Sequence, residues 1–286
     1  MIVSKTPLRA SLFGGGTDFK KYFENTKYGY GSVISTTLDM YVYIIVSKRF
    51  DDKIRIVYKD NELVDSVDEI KHNIIREALK ITKIEKGIEI VYLANLPMTN
   101  LGVGLASSSA LAVGVLNALH FYKNEKVSKE QLAREACEIE IDRIGQQIGI
   151  QDQYAVSYGG FNCYKFNKNG TVDIEKLELD EKLKENFMLF YTGSTRDSKK
   201  IFDEQNKKTT SDIQIFDDIL QLEQEALKYI RQKKYDKIGF LLDKAWQVKK
   251  KFAKGVSNPD IDKMYDTAIK NGALGGKILG AGGGGF

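Results

Sequence analysis

Runs of β-branched and aromatic residues alternate with helically spaced apolar positions along this 286-residue chain. "MYVYIIVSKRF" (40–50) and "KIRIVYKD" (53–60), with Asp51 and Asp52 between them, predict a hairpin. "KHNIIREALK" (71–80) has helical spacing, and "GIEIVYLANLP" (87–97) returns to a strand. Ser128 followed by Gln131 is a capping box, which opens a helix running to about Gly145. "FNCYKFNKNGTVDIEKLEL" (161–179) reads as strand, turn, strand, with Asn169-Gly170 at the turn. "NFMLFYTG" (186–193) reads as a further strand, and amphipathic helices fill 213–253. Asn258 as cap, Pro259 at the first helical position and Gly272 as stop bound a last helix. The texture turns from strand-rich to helix-rich near residue 165, which predicts domains of residues 1–165 and 166–286.

Between the strand at 87–97 and the next helix lies "GVGLASSSALAVGVLNALHFY" (102–122). A helix start leaves backbone N–H groups without partners, and a serine there is an ordinary cap. One serine suffices for that. Gly102, Gly104, Leu105, Ala106, Ser107, Ser108 and Ser109 together leave an open arc of N–H groups, with few side chains to cover it. Such an arc at the positive end of a helix dipole is a phosphate site. Capping and phosphate binding both stay open on this stretch alone.

Composition narrows the classes. The charge excess is only +4 and no dense basic block occurs, so nucleic acid is not suggested. Lys249, Lys250 and Lys251 read as a solvated helix face. Two histidines far apart, His72 and His120, exclude a histidine-rich zinc site. Cys137 and Cys163 form no CxxC motif, no signal peptide opens the chain and no apolar run reaches membrane length. A cytoplasmic protein that does not bind membranes is expected.

The helix opened by Ser128 carries an apolar stripe of Ala133, Ala136, Cys137, Ile141 and Ile144, and Glu140 falls on that stripe. A carboxylate on a buried face is costly unless it is paired or binds a metal. A buried salt bridge, a snorkelling edge position and a metal ligand are the three readings. "GIQDQYAVSYGG" follows at once, with Asp152 in a glycine-flanked turn. Two carboxylates beside a phosphate cradle suggest magnesium–nucleotide chemistry. GxxxxGK[ST] is absent, because Ile278 follows Gly276-Lys277. "GAGGGG" (280–285) satisfies GxGxxG literally but has no βαβ unit after it.

Three stretches resemble, in order, the three motifs of the GHMP kinases: "TPLRASLFGGGTDF" (6–19), "PMTNLGVGLASSSA" (97–110) and "KILGAGGGGF" (277–286). They span essentially the whole chain. "GGGTD", "GIQDQYAVSYGG" and "LFYTGSTRDS" (189–198) are most similar to the branch that phosphorylates the anomeric hydroxyl of D-glycero-D-manno-heptose 7-phosphate. L-fucose kinases are the nearest competitor, and a non-catalytic sugar or nucleotide sensor is the alternative of another class. Ala106 stands where the family loop carries its last glycine, a place an alanine tolerates if helical and not at positive φ.

The resemblance implies an α+β fold. Its N-terminal half would hold a mixed sheet with helices, and its C-terminal half a ferredoxin-like α/β sandwich, shortened after the third motif. ATP and Mg²⁺ are the implied cofactors, and a sugar phosphate the implied substrate. Gly102 to Ser109 would hold the ATP phosphates, with Ser108 and Glu140 on magnesium. Asp152 would orient or deprotonate the sugar hydroxyl, and otherwise is a turn aspartate. Arg9 would neutralise the transferring phosphoryl group, and otherwise is solvated. Asp18, with Gly15, Gly16 and Thr17, would meet sugar hydroxyls, and otherwise Asp18 is a cap. Arg196, supported by Gly160, Thr192 and Gly193, would take the substrate's own phosphate, and otherwise is an exposed loop arginine. Gly280, Ala281, Gly282 and Gly283 would close over the site with bare backbone. The joint presence of Asp152, Glu140 and Arg9 argues against the sensor.

Overall fold

The computed structural model describes residues 1–96, 102–194 and 199–286. In chain order the elements are β1 (Ile2–Phe13), α1 (Lys20–Phe23), β2 (Tyr30–Lys48), β3 (Ile54–Val57), β4 (Asn61–Val64) and α2 (Asn73–Thr82). Next come β5 (Ile88–Ala94), α3 (Ser107–Tyr122), α4 (Lys129–Cys137), α5 (Gln151–Tyr158), β6 (Phe161–Asn167) and β7 (Val172–Lys176). Five helices end the chain: α6 (Glu181–Glu185), α7 (Lys199–Ser211), α8 (Ile213–Arg231), α9 (Asp236–Lys249) and α10 (Pro259–Lys270). A π-helical turn, Glu138–Arg143, extends α4.

The α+β class holds. Seven strands form one mixed sheet in the order β4-β3-β5-β2-β6-β7, with β1 antiparallel along β2. At 19 residues, β2 is long enough to serve two partners. Its first part pairs with β6 and its last part with β5. β2 and β3 are therefore not the hairpin that their sequences predict. β5 lies between them, antiparallel to β2 and parallel to β3, with Ile54 opposite Ile88. The reason is burial: Ile54, Ile56, Ile88 and Ile90 are fully inside, and the crossover to β5 lets α2 cover them with Ile74, Ile75, Ala78 and Leu79.

The 186–193 stretch is not a strand. α6 ends at Glu185, and the segment after it meets the third motif through Thr192 N–H to Gly285 O and Gly285 N–H to Ser194 O, with the Thr192 hydroxyl on Gly285 O and Tyr191 against Phe286. Met188, Leu189, Phe190 and Tyr191 stay exposed. Among the described residues no strand follows β7, so the ferredoxin-like sandwich is not seen there. Its extended segments meet through too few bonds to make a ladder. The helices pack instead on an aromatic core, where Phe216 and Phe252 stack at 4.5 Å beside Phe13, Tyr22, Phe166 and Trp246. No helix among the described residues is long and apolar enough to cross a membrane.

Candidate active site

α3 begins at Ser107, and its N-cap is Ala106 at φ 62°, ψ 37°. Ala106 is thus left-handed, the conformation that suits glycine, and it makes no side-chain cap bond. Plain serine capping is not what this loop does. Ser108 is exposed at the helix start and Ser107 half-buried, whereas Ser109 is buried and donates to Glu140 Oε2 at 2.6 Å. Leu105 is core, and its carbonyl accepts the Arg9 N–H. A Cβ on Gly104 would meet the Leu279 carbonyl oxygen at 2.8 Å, and one on Gly280 would meet Gly104 Cα at 2.8 Å. The second and third motifs can touch only as bare backbone.

Glu140 sits on the π-helical turn, fully buried. Such turns often mark functional positions in helices. Oε2 accepts from Ser109 and from Gln153 Nε2 at 2.6 Å, while Oε1 has no partner at hydrogen-bond distance. Burial, with the charge of Asp152 adding to it, raises its pKa above the ordinary carboxylate value, opposed by Ser109, Ser108 and Gln153, and no cation among the described residues contributes. The buried salt bridge is therefore not realised. An orphaned carboxylate oxygen beside a hydroxyl-bearing helix start fits Mg²⁺, which takes few protein oxygens and keeps phosphate and water ligands. No group of three or more metal-type side chains occurs among the described residues.

The register of β1 shifts between Pro7 and Arg9, a bulge that re-aims the chain. Arg9 is buried, and each of its three guanidinium nitrogens donates a hydrogen bond. Nε donates to Asp152 Oδ1 at 2.8 Å, Nη2 to Asp152 Oδ2 at 2.6 Å and Nη1 to the Gly104 carbonyl at 2.7 Å. A planar fork is what this bidentate grip requires. Arg9 is not a solvated strand residue. Asp152, in the first turn of α5, is not a self-capping turn residue either.

Asp18 is buried and does not cap α1, the helix that follows it; its side chain instead meets the start of α5. Oδ1 accepts from Gly16 N–H and Gln151 Nε2, both at 2.9 Å, and Oδ2 from Gln151 N–H at 3.2 Å. Burial first, and the charge of Asp152 second, raise its pKa to about 6. Thr17 is spent on the Gly14 and Ser32 carbonyls. Gly160 is tied to Thr37, and Thr192 to Gly285; these two, Thr17 and Gly193 line neither cavity described below. Arg196 lies outside the described residues.

Lys249 is a correction. It is buried, and Nζ donates to the carbonyls of Ile278 at 2.6 Å and Gly280 at 2.7 Å, fastening the third motif. Leu242, Ala245, Trp246 and Lys249 fall at i, i+3, i+4 and i+7, so the stripe could have revealed it. Gln205 Nε2 donates to Ala281 O, and Gly283 N–H to Val256 O. Gln151 and Lys277, which lie inside the quoted motifs without a role assigned to them, and Phe202 and Gln205, outside them, also border the site. Only their tertiary placement reveals them.

Two cavities share Arg9, Asp152, Phe202 and Gly280. One is walled by Gly102, Gly104, Ala106, Ser107 and Ser108 with Gly280, Ala281 and Gly282. The other holds Gly15, Gly16, Asp18, Gln151 and Lys277. Residues 70–160 match the model of the GHMP kinases N terminal domain, and residues 226–286 that of the GHMP kinases C terminal. A D-glycero-alpha-D-manno-heptose 7-phosphate kinase from Campylobacter jejuni is 32% identical over all of this chain and 88% of its own length. A Pyrococcus furiosus galactokinase is 25% identical over 99% of this chain and 87% of its own. The crystal structure of a D-glycero-D-manno-heptose 1-phosphate kinase from Bacteroides thetaiotaomicron superposes with a TM-score of 0.79 at 23% identity, over 99% of this chain and 86% of that one. Phosphoryl transfer needs donor and acceptor to meet in line at a charged centre, and the wall common to the two cavities offers one. The protein is a small-molecule kinase. More narrowly, the chain belongs to the GHMP kinase family. Kinases of this family take their phosphate from ATP, generally with Mg²⁺.

Proposed function

We propose that this kinase transfers the γ-phosphoryl group of Mg-ATP to the anomeric hydroxyl of D-glycero-D-manno-heptose 7-phosphate, giving the 1,7-bisphosphate on the way to GDP-heptose for surface polysaccharide. The observation that carries the reaction is the bidentate Arg9–Asp152 pair on the wall between the two cavities. The choice of sugar rests on the heptose 7-phosphate kinase from Campylobacter jejuni, similar over its whole alignment. A cytoplasmic enzyme is implied, with the ATP site drawn from residues 1–165 and the cover over it from 166–286.

The backbone N–H groups of residues 102–109 and the hydroxyls of Ser107 and Ser108 would hold the ATP phosphates. Ser108 and Glu140 would hold Mg²⁺, which neutralises phosphate charge when bound. Asp152 orients the acceptor hydroxyl and takes its proton as the oxygen–phosphorus bond forms and the bond to ADP breaks. Arg9 holds Asp152 in place and faces the charge of the transferring group. Asp18 accepts hydrogen bonds from sugar hydroxyls, against the bare backbone of Gly15 and Gly16. The test is ADP release by the purified protein with Mg-ATP and, in turn, heptose 7-phosphate, unphosphorylated heptose and L-fucose. Turnover with heptose 7-phosphate far above the others is expected. Equal or better use of fucose overturns the choice of sugar, and no sugar-dependent ADP release overturns catalysis.

A further inference from the structure

The acceptor cavity is lined by a half-buried cation that the chemistry above leaves unused. Lys277 stands at the start of the third motif, and it lines the cavity together with Arg9. Its one hydrogen bond is to the Leu12 carbonyl of β1, at 3.1 Å. An ammonium has three donors, so two have no partner among the described residues. The charged groups around it are two further cations, Arg9 and Lys249, and two carboxylates, Asp18 and Asp152. Neither carboxylate pairs with it. Both Asp152 oxygens are held by Arg9, and Asp18 is taken by Gly16 and Gln151. Burial, and the charge of Arg9 after it, lower the Lys277 pKa to about 7, with no anion opposing them.

A cation drawn partly out of water beside other cations gains from a counter-ion. Lys277 also lines only the acceptor cavity, whereas Arg9 and Asp152 line both. We propose that Lys277 is the residue that binds the phosphate monoester of the acceptor sugar, and so sets the preference for a phosphorylated over an unphosphorylated sugar. The inference rests on the sugar-phosphate reading above and gives that reading a specificity residue among the described ones. A dianionic phosphate supplies the missing counter-ion and holds the lysine protonated.

The experiment compares heptose 7-phosphate with unphosphorylated heptose in wild type, Lys277→Met and Lys277→Arg, at pH 6.5–9. Lys277→Met should raise the KM for heptose 7-phosphate by about 10–100-fold, as expected for loss of a charge-assisted contact, and leave the KM for ATP within about twofold. Discrimination between the two sugars should fall by the same factor. Wild type should bind heptose 7-phosphate less well as pH rises above 7, and Lys277→Arg should not show that loss, because arginine stays charged. Melting curves confirm that each variant is folded. If wild type uses both sugars equally, the sugar-phosphate reading fails and this inference with it. If wild type requires the phosphate and Lys277→Met discriminates as sharply, the sugar-phosphate reading stands and Lys277 is not its anchor.

Discussion

Arg9 and Asp152, 143 residues apart, are joined by two parallel hydrogen bonds of 2.8 and 2.6 Å on the wall between the two cavities. Arg9 is 3% exposed and Asp152 22%, so the buried guanidinium depends on the more open carboxylate for its compensation. The pair links β1 to α5, and through Arg9 Nη1 to Gly104 it also holds the phosphate loop. Structure and chemistry are thus coupled at one contact.

Asp152→Asn should slow turnover by about 10²–10⁴-fold, the usual worth of a positioned acid–base group. It should also cost about 1–3 kcal/mol of stability, less than for a fully enclosed pair, because Arg9 loses a charged partner. Single-turnover rates and melting curves read the two effects separately. Normal turnover at reduced stability would make Asp152 a partner of Arg9 and nothing more.

Glu140→Gln should raise the magnesium concentration needed for half-maximal rate, since the orphaned Oε1 is the one anionic oxygen offered at the helix start. The apo protein should melt no lower than wild type, because burial already disfavours the charged form of this carboxyl. A magnesium titration at fixed ATP checks the first expectation. Unchanged magnesium dependence with a lower melting temperature would assign Glu140 to structure.

Ala106→Gly should stabilise the protein by about 1 kcal/mol, the cost of holding an alanine in the left-handed region. Melting should rise by a few degrees at this size. A calorimetric scan of the two proteins tests this, and no gain would mean that the backbone carries no strain at Ala106.

Glu223, far from the reaction centre, accepts from Ser32 Oγ at 2.9 Å, while its Oε2 is buried without a partner. Burial raises its pKa from 4.5 to about 7. The folded state therefore holds a proton that the unfolded state has released, so stability falls as pH rises from about 4.5 to about 7 and is level beyond. Glu223→Gln should match wild type near pH 4 and exceed it by roughly 2–3 kcal/mol at pH 8. Urea unfolding at both pH values measures the difference, and an equal gain at pH 4 would trace it to packing instead of ionisation.

Periodicity along the chain was enough for α2, β5, the β6–β7 hairpin and the capping residues Ser128 and Asn258, whose side chains accept from Gln131 and Ile261 N–H. These are local decisions, made by residues within a turn or a strand of each other. The same local logic marked Glu140, a charge on an apolar stripe. It stopped short at Lys249, where a run of three lysines hid an equally clear stripe. The 186–193 stretch has a strand's composition and forms no ladder, because strand formation needs a partner that composition does not supply.

The sequence by itself determined the order of the three motifs, the open helix start at residues 102–109 and the residue types available for phosphoryl transfer. Tertiary structure decided which of them meet. Arg9, at a shift in the β1 register, reaches Asp152 of α5 across the fold, and Lys277 meets the Leu12 carbonyl once the third motif packs against β1. β5 comes between β2 and β3 because burying four isoleucines outweighs the short hairpin connection. Contacts across such separations depend on which surfaces exclude water together, and a one-dimensional pattern carries no record of that.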